Sequence, residues 1–110
     1  MGEQDVLKGI GVSGGEGVGQ LIDWVEMTPT DFVGRVVLLN ELDDRVASLV
    51  EASGIVSLRG GITSHGAVLA RELQIPCVVV SEPEAIKSLL GHQVVVDGWD
   101  GTIKQTERLS

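Results

Sequence analysis

The chain has 110 residues, a length that suits one domain, 1–110, and at 43% hydrophobic it can bury a real core. Its formal net charge of −8 excludes a nucleic-acid partner and an anionic membrane surface, since both are held chiefly by Lys and Arg. The single cysteine cannot close an internal disulfide, no apolar run approaches the roughly 20 residues of a spanning helix, and the opening "MGEQDVLKG" is polar rather than signal-like. The expectation is a cytoplasmic protein without membrane attachment.

In chain order, "VLKGIGVSGGEGVGQLIDWV" predicts two short strands around a glycine-rich connection. "RVVLLN" (35–40) predicts a buried strand. "ELDDRVASLVEAS" (41–53) predicts a helix, with Val46, Leu49 and Val50 at i, i+3, i+4 and Gly54 as its stop. "GIVSL" (54–58) predicts a strand, followed by a Gly-Gly turn and a helix from about Ser64 to Leu73. "IPCVVVS" (75–81) predicts a strand, and "EPEAIKSLLG" (82–91) a short helix closed by Gly91. "HQVVVDGWDGTIKQ" predicts a hairpin. Strand–helix alternation in the middle and antiparallel ends give an α/β domain with a mixed sheet, and frayed tails over about 1–5 and 106–110.

One stretch carries chemistry. "GGITSHGAVLAREL" (60–73) places His65 in the first turn of a helix whose Ala67, Val68, Leu69, Ala70 and Leu73 spread around most of its circumference. Such a helix is expected to pack on more than one side, leaving its N-terminal end for polar groups. A helix start has unpaired N–H groups and a partial positive charge, so it favours an anion and disfavours a charged imidazole. Gly60, Gly61 and Gly66 remove side chains that would block a ligand, and Thr63 and Ser64 offer hydroxyls to a cap or a phosphate. Carboxylates number 16 in the chain, so 20 residues should hold about three; Ala52 to Arg71 hold none, while Arg59 and Arg71 are present. This depletion suits a phosphate site. The same residues also fit an ordinary capped helix start with a solvated histidine.

Other features favour plain readings. Gly9-Ile10-Gly11-Val12-Ser13-Gly14 fits G-x-G-x-x-G but has no full preceding strand, no following helix and no P-loop lysine. Asp97 and Asp100 suit a turn, so no metal site is expected. Cys77 reads as a buried thiol, His92 as solvated, and Trp24 and Trp99 as packing or partner-contact residues.

"GGITSHGAVLARELQIPCVVV" resembles the phosphohistidine signature of the phosphoenolpyruvate-utilising enzymes, which include pyruvate phosphate dikinase, phosphoenolpyruvate synthase and enzyme I of the sugar phosphotransferase system. "GIGVSGGEGVGQLI", "ASGIVSLRGG" and "GHQVVVDGWDGTI" resemble further parts of the same domain, so the resemblance covers nearly the whole chain. It implies a swivelling β/β/α phosphohistidine domain, with a mixed central sheet packed by helices. His65 would accept and donate a phosphoryl group as a covalent carrier, at Nε2. Thr63, Ser64, Gly60, Gly61, Gly66 and Arg71 would support phosphate, and Thr63 matches a regulatory phosphorylation site of the dikinases.

The implied partners are a phosphoenolpyruvate- or pyruvate-binding domain and a nucleotide-binding domain or phosphocarrier protein, with Mg²⁺ held there and no cofactor on this domain. A transferase fragment of this size is expected to have no turnover alone, whether excised or free-standing. Gly66, where Ser, Thr or Ala is usual, and Ser81, where Gly is common, depart from the pattern. The rival expectation is a non-catalytic docking or regulatory module that keeps the swivelling-domain fold.

Overall fold

The computed structural model describes residues 6–26 and 32–106. Its strands are β1 (Val6–Lys8), β2 (Ile10–Ser13), β3 (Glu16–Asp23), β4 (Val36–Leu39), β5 (Gly54–Ser57), β6 (Cys77–Val79), β7 (Gln93–Asp97) and β8 (Thr102–Gln105). The helices are α1 (His65–Leu73) and α2 (Pro83–Lys87), and short 3-10 turns cover Trp24–Glu26 and Asp44–Ser48.

The strands form one mixed sheet in the order β1-β8-β7-β3-β4-β5-β6-β2. β3 through β6 run parallel, and the remaining pairings are antiparallel. β1 and β2 lie at opposite edges of that order, yet only Gly9 separates them in the chain. The sheet therefore has to curl until its edges meet. Gly9 N–H donates to Gly101 O at 2.7 Å at this seam, and a Cβ on Gly11 would lie 2.0 Å from the Gly98 carbonyl oxygen. The G-x-G-x-x-G spacing thus serves close backbone approach between β2 and the β7–β8 turn.

Two apolar clusters make the layers. Leu21, Val36, Leu38, Val56, Val78, Val94, Val96 and Ile103 fill the inside of the curled sheet, closed by Ile86 and Leu89 from the α2 region. Val37, Leu39, Ile55 and Cys77 face the other way, against Ala67 and Ala70 of α1 and against Leu42, Val46 and Leu49. Alternate residues of β4, β5 and β6 enter different clusters, which is why these strands read as continuous apolar runs. Each such side chain contributes about 1.5–3 kcal/mol on burial. This is the expected β/β/α arrangement.

Three expectations change. Most of the glycine-rich connection is strand, with only Gly14 and Gly15 between β2 and β3: Gly17 and Gly19 are buried in β3, alternating with exposed Glu16, Val18 and Gln20, and a Cβ on Gly17 would meet the Ser53 carbonyl at 1.8 Å. The segment 41–53 holds only the 3-10 turn Asp44–Ser48, and Gly54 begins β5 instead of ending a helix. Val46 and Leu49 are fully buried whereas Val50 is 54% exposed, so the apolar spacing is three, the period of a 3-10 turn. Finally, α1 is not packed all round. Gly66, Ala67 and Ala70 form its buried stripe, and Val68 is exposed.

Of the expected frayed tails, 1–5 and 107–110 lie outside the described residues. Thr106 still donates its N–H to Gln93 O at 2.9 Å.

Candidate functional site

β4 and β5 are parallel neighbours, with Leu39 opposite Ser57 at their carboxyl ends. The loops that follow therefore leave on the same edge of the sheet, where open parallel sheets gather ligands. One loop leads to Asp44, and the other leads through the Gly-Gly turn to α1. Ser57, fully buried, shapes the second exit: its hydroxyl donates to Arg59 O at 2.7 Å and accepts from Arg59 N–H at 3.3 Å.

Ser64 caps α1. Its Oγ accepts from Ala67 N–H at 3.3 Å and donates to Gly61 O at 2.8 Å, on extended backbone at φ −67°, ψ 157°. The cap fixes the direction of the next residue, His65, whose side chain is 66% exposed. Thr63, in the turn before the cap, is exposed as well.

The structure brings an acid to this histidine. Asp44 Oδ1 lies 2.9 Å from His65 Nε2. The depletion of carboxylates between 52 and 71 holds along the chain but not in space, because the neighbouring loop supplies one. The parallel pairing expected from strand–helix alternation carried that signal: it sets the loop after 35–40 beside the loop after 54–58.

Asp43, next door, is engaged differently. It accepts from Arg45 Nε at 2.8 Å, from Arg45 Nη2 at 3.0 Å and from Arg45 N–H at 3.0 Å. The side-chain and then the backbone hydrogen bonds from Arg45 hold its carboxyl below the usual aspartate range. Arg45 also reaches Asn40 Oδ1 at 3.1 Å and lies 5.6 Å from the centre of the half-buried Trp24 ring. Of two adjacent acids, Asp43 is committed to Arg45 and Asp44 faces the ring.

The glycines expected to clear space for a ligand divide. Gly61 faces open space. Gly60, at φ +127°, would set a Cβ 3.0 Å from the Leu42 side chain, and a Gly66 Cβ would lie 2.5 Å from the Leu42 carbonyl carbon and 2.6 Å from Asp43 N. Gly60 and Gly66 therefore enclose Leu42, which is 4% exposed, and the backbone of 42–43 is drawn against the first turn of α1. That approach is what carries Asp44 to His65.

Arg71 is not brought to the histidine. It lies six residues along the helix, about 9 Å of axial rise, and its Nη1 donates to Val12 O at 2.8 Å. The pairing of β2 with β6 shifts register between Gly11 and Ser13, so Val12 sits in an irregularity, and Arg71 satisfies its carbonyl. Arg59 instead borders an open depression of about 440 Å³ with Asn40, Glu41, Leu58, Ser81 and Pro83, again at the carboxyl ends of β4, β5 and β6.

The remaining candidates take structural places. Asp97 Oδ1 accepts from Trp99 N–H and Asp100 N–H, which makes a turn. Trp99 is 79% exposed, with its ring over Gly14. His92 is exposed, its Nδ1 3.2 Å from Gln105 Nε2. Cys77 is buried, and burial pushes its thiol up to about 12. Among the described residues no group of three or more His, Cys, Asp or Glu is placed to hold a metal ion, and no helix is long and apolar enough to cross a membrane.

Comparison with known proteins bears on this edge of the sheet. A phosphoenolpyruvate synthase of Pyrococcus furiosus is 37% identical over 101 residues, spanning 89% of this chain and 12% of that protein. The chain thus corresponds to about an eighth of the length of that relative. Among solved structures, a UPF0107 protein superposes with a TM-score of 0.70 at 16% identity, covering 94% of this chain and all of that one. The N-terminal domain of Enzyme 1 – Nitrogen gives 0.55 at 23% identity, covering 64% of this chain and 31% of that one. The structural likenesses establish the fold. The family model described as "PEP-utilising enzyme, mobile domain" matches residues 34–101, a span that takes in β4, the loop of Asp44, the capped turn and His65, so the chain belongs to the mobile-domain family of the phosphoenolpyruvate-utilising enzymes.

Proposed function

We propose that this chain is a phosphoryl carrier, with His65 Nε2 as the atom that takes and gives the group. The observation that supports the reading is the placement of one exposed imidazole on the first residue of a Ser64-capped helix, at the carboxyl edge of parallel strands. The ring attacks phosphorus through the Nε2 lone pair, with its one proton on Nδ1. An N–P bond forms, the bond from phosphorus to the donor oxygen breaks, and that oxygen departs with the electron pair. The return transfer reverses these changes onto an acceptor oxygen.

The unpaired N–H groups at the start of α1 and the exposed Thr63 hydroxyl supply donors for phosphoryl oxygens. Ser64 acts one step back, by fixing the helix start. Thr63, as an exposed hydroxyl two residues before the histidine, is also a candidate for regulatory phosphorylation. The donor and acceptor stations, a phosphoenolpyruvate- or pyruvate-binding domain and a nucleotide-binding domain or phosphocarrier protein, belong to other domains or chains. Mg²⁺ acts there, and the setting is cytoplasmic. Tethering to such stations raises effective concentration at each of them.

A docking module without chemistry draws on one observation, the contact of Asp44 with the ring nitrogen that would react. Phosphorus NMR and intact mass separate the readings, after incubation with phosphoenolpyruvate, Mg²⁺ and a phosphoenolpyruvate-binding domain of the family. The carrier gains one phosphoryl group that is acid-labile, base-stable and absent from His65→Ala. No adduct with any of several such donor domains would leave the docking module.

A further inference from the structure

We infer that Asp44 is a positioning residue for His65, holding the resting ring with its proton on Nε2, so that the Asp44 contact and a phosphoryl group on Nε2 exclude one another. The inference rests on the carrier reading for its second half only.

The geometry is specific. At 2.9 Å, with a carboxylate that can only accept, Nε2 must be the donor. A neutral imidazole has one N–H, so a proton on Nε2 leaves the lone pair on Nδ1, the nitrogen nearer the backbone. Attack through Nε2 needs the opposite tautomer. The ring must leave Asp44, give its Nε2 proton to water and take one on Nδ1; charge and proton count are unchanged. Once a phosphoryl group is on Nε2, its negative oxygens would stand where the Asp44 carboxylate was, and like charges repel.

The contact follows from packing that the motif glycines permit. Leu42 is enclosed by Gly60 and Gly66, and the Asp43–Arg45 pair pins the start of the 3-10 turn. Asp44 is its first residue and is delivered to the ring. Yet the partners stay 66% and 89% exposed, so the contact biases the ring by no more than roughly fivefold. A partner surface that closes over His65 can displace it. Asp44 therefore withholds the nucleophile from casual phosphorylation and yields when a station docks.

The test uses the full chain with ¹⁵N-labelled histidine. Long-range ¹H–¹⁵N spectra of the neutral ring report the tautomer in the native chain and in Asp44→Ala, with no phosphoryl donor present. The share of Nδ1–H should rise about two- to fivefold in the variant. With donor domain, phosphoenolpyruvate and Mg²⁺, the variant should be phosphorylated about two- to fivefold faster, on Nε2. An unchanged tautomer share would overturn the inference, as would slower phosphorylation of the variant or a phosphoryl group on Nδ1 with Asp44 still bound at Nε2. If neither chain accepts phosphoryl, the carrier reading falls, and the tautomer comparison still decides whether Asp44 holds the ring.

Discussion

Gly66 lies against the backbone of Leu42 so closely that a Cβ there would meet its carbonyl carbon at 2.5 Å. Alanine ordinarily improves a helix over glycine by about 1 kcal/mol. Here the obstacle is main chain, which cannot rotate aside, so overpacking of about 1–3 kcal/mol dominates. Gly66→Ala is expected to lower stability by about 1–2 kcal/mol in denaturant titration. It should also push the 42–44 loop away from His65. A gain in stability would mean that the loop yields freely and does not position Asp44.

His65→Ala should behave in the opposite way. The ring is two-thirds exposed, its partner is the exposed Asp44, and the Ser64 cap does not involve it. Stability should stay within about 0.5 kcal/mol of the native chain, as for surface substitutions generally. A fall of many degrees in the melting temperature would make the histidine a structural residue.

Cys77 offers a pH test. Its thiol is raised by burial to about 12, well above the ordinary thiol range, so the unfolded chain loses this proton first as pH rises. The stability tied to the neutral thiol is complete below about 9 and drains away as pH climbs toward 12, at up to about 1.4 kcal/mol per pH unit. The chain has no Tyr to titrate in the same window. Cys77→Ala, which removes the thiol without adding bulk, should flatten the alkaline limb of the stability curve. Superimposable limbs would show that the thiol is not the group responsible.

Much of this was legible in the residues. The apolar runs at 36–39, 54–57 and 77–79 are strands because they are buried on both faces, and no other element tolerates that in so few residues. The Thr-Ser-His start of α1 was legible because capping is local chemistry. The 41–53 segment misled because i, i+3 spacing is shared by α and 3-10 geometry, and only the exposure of Val50 separates them. The first half of β3 was hidden because its glycines answer to Ser53 and Gly34, residues distant in the chain. Asp44 escaped for the same reason: a window along the sequence cannot count an acid delivered by a neighbouring loop.

Arg71 turns that lesson into a measurement. Its place in the signature implies a role toward phosphate, yet its guanidinium is committed to the carbonyl of Val12 at 2.8 Å, beside the register shift of β2. Removing a charged donor from a partly buried acceptor costs about 1–3 kcal/mol. Arg71→Ala should therefore lower the melting temperature by several degrees, at about 4–8 °C per kcal/mol for domains near this size. Arg71→Lys should recover part of the loss, since an ammonium can reach a single carbonyl. Phosphoryl uptake by His65, measured by intact mass with the same donor domain, should stay at the native rate in both variants while they remain folded. A slowed or less persistent adduct at full stability would restore Arg71 to the phosphate site, and the Val12 bond would then be a resting contact that the arginine leaves when phosphate arrives.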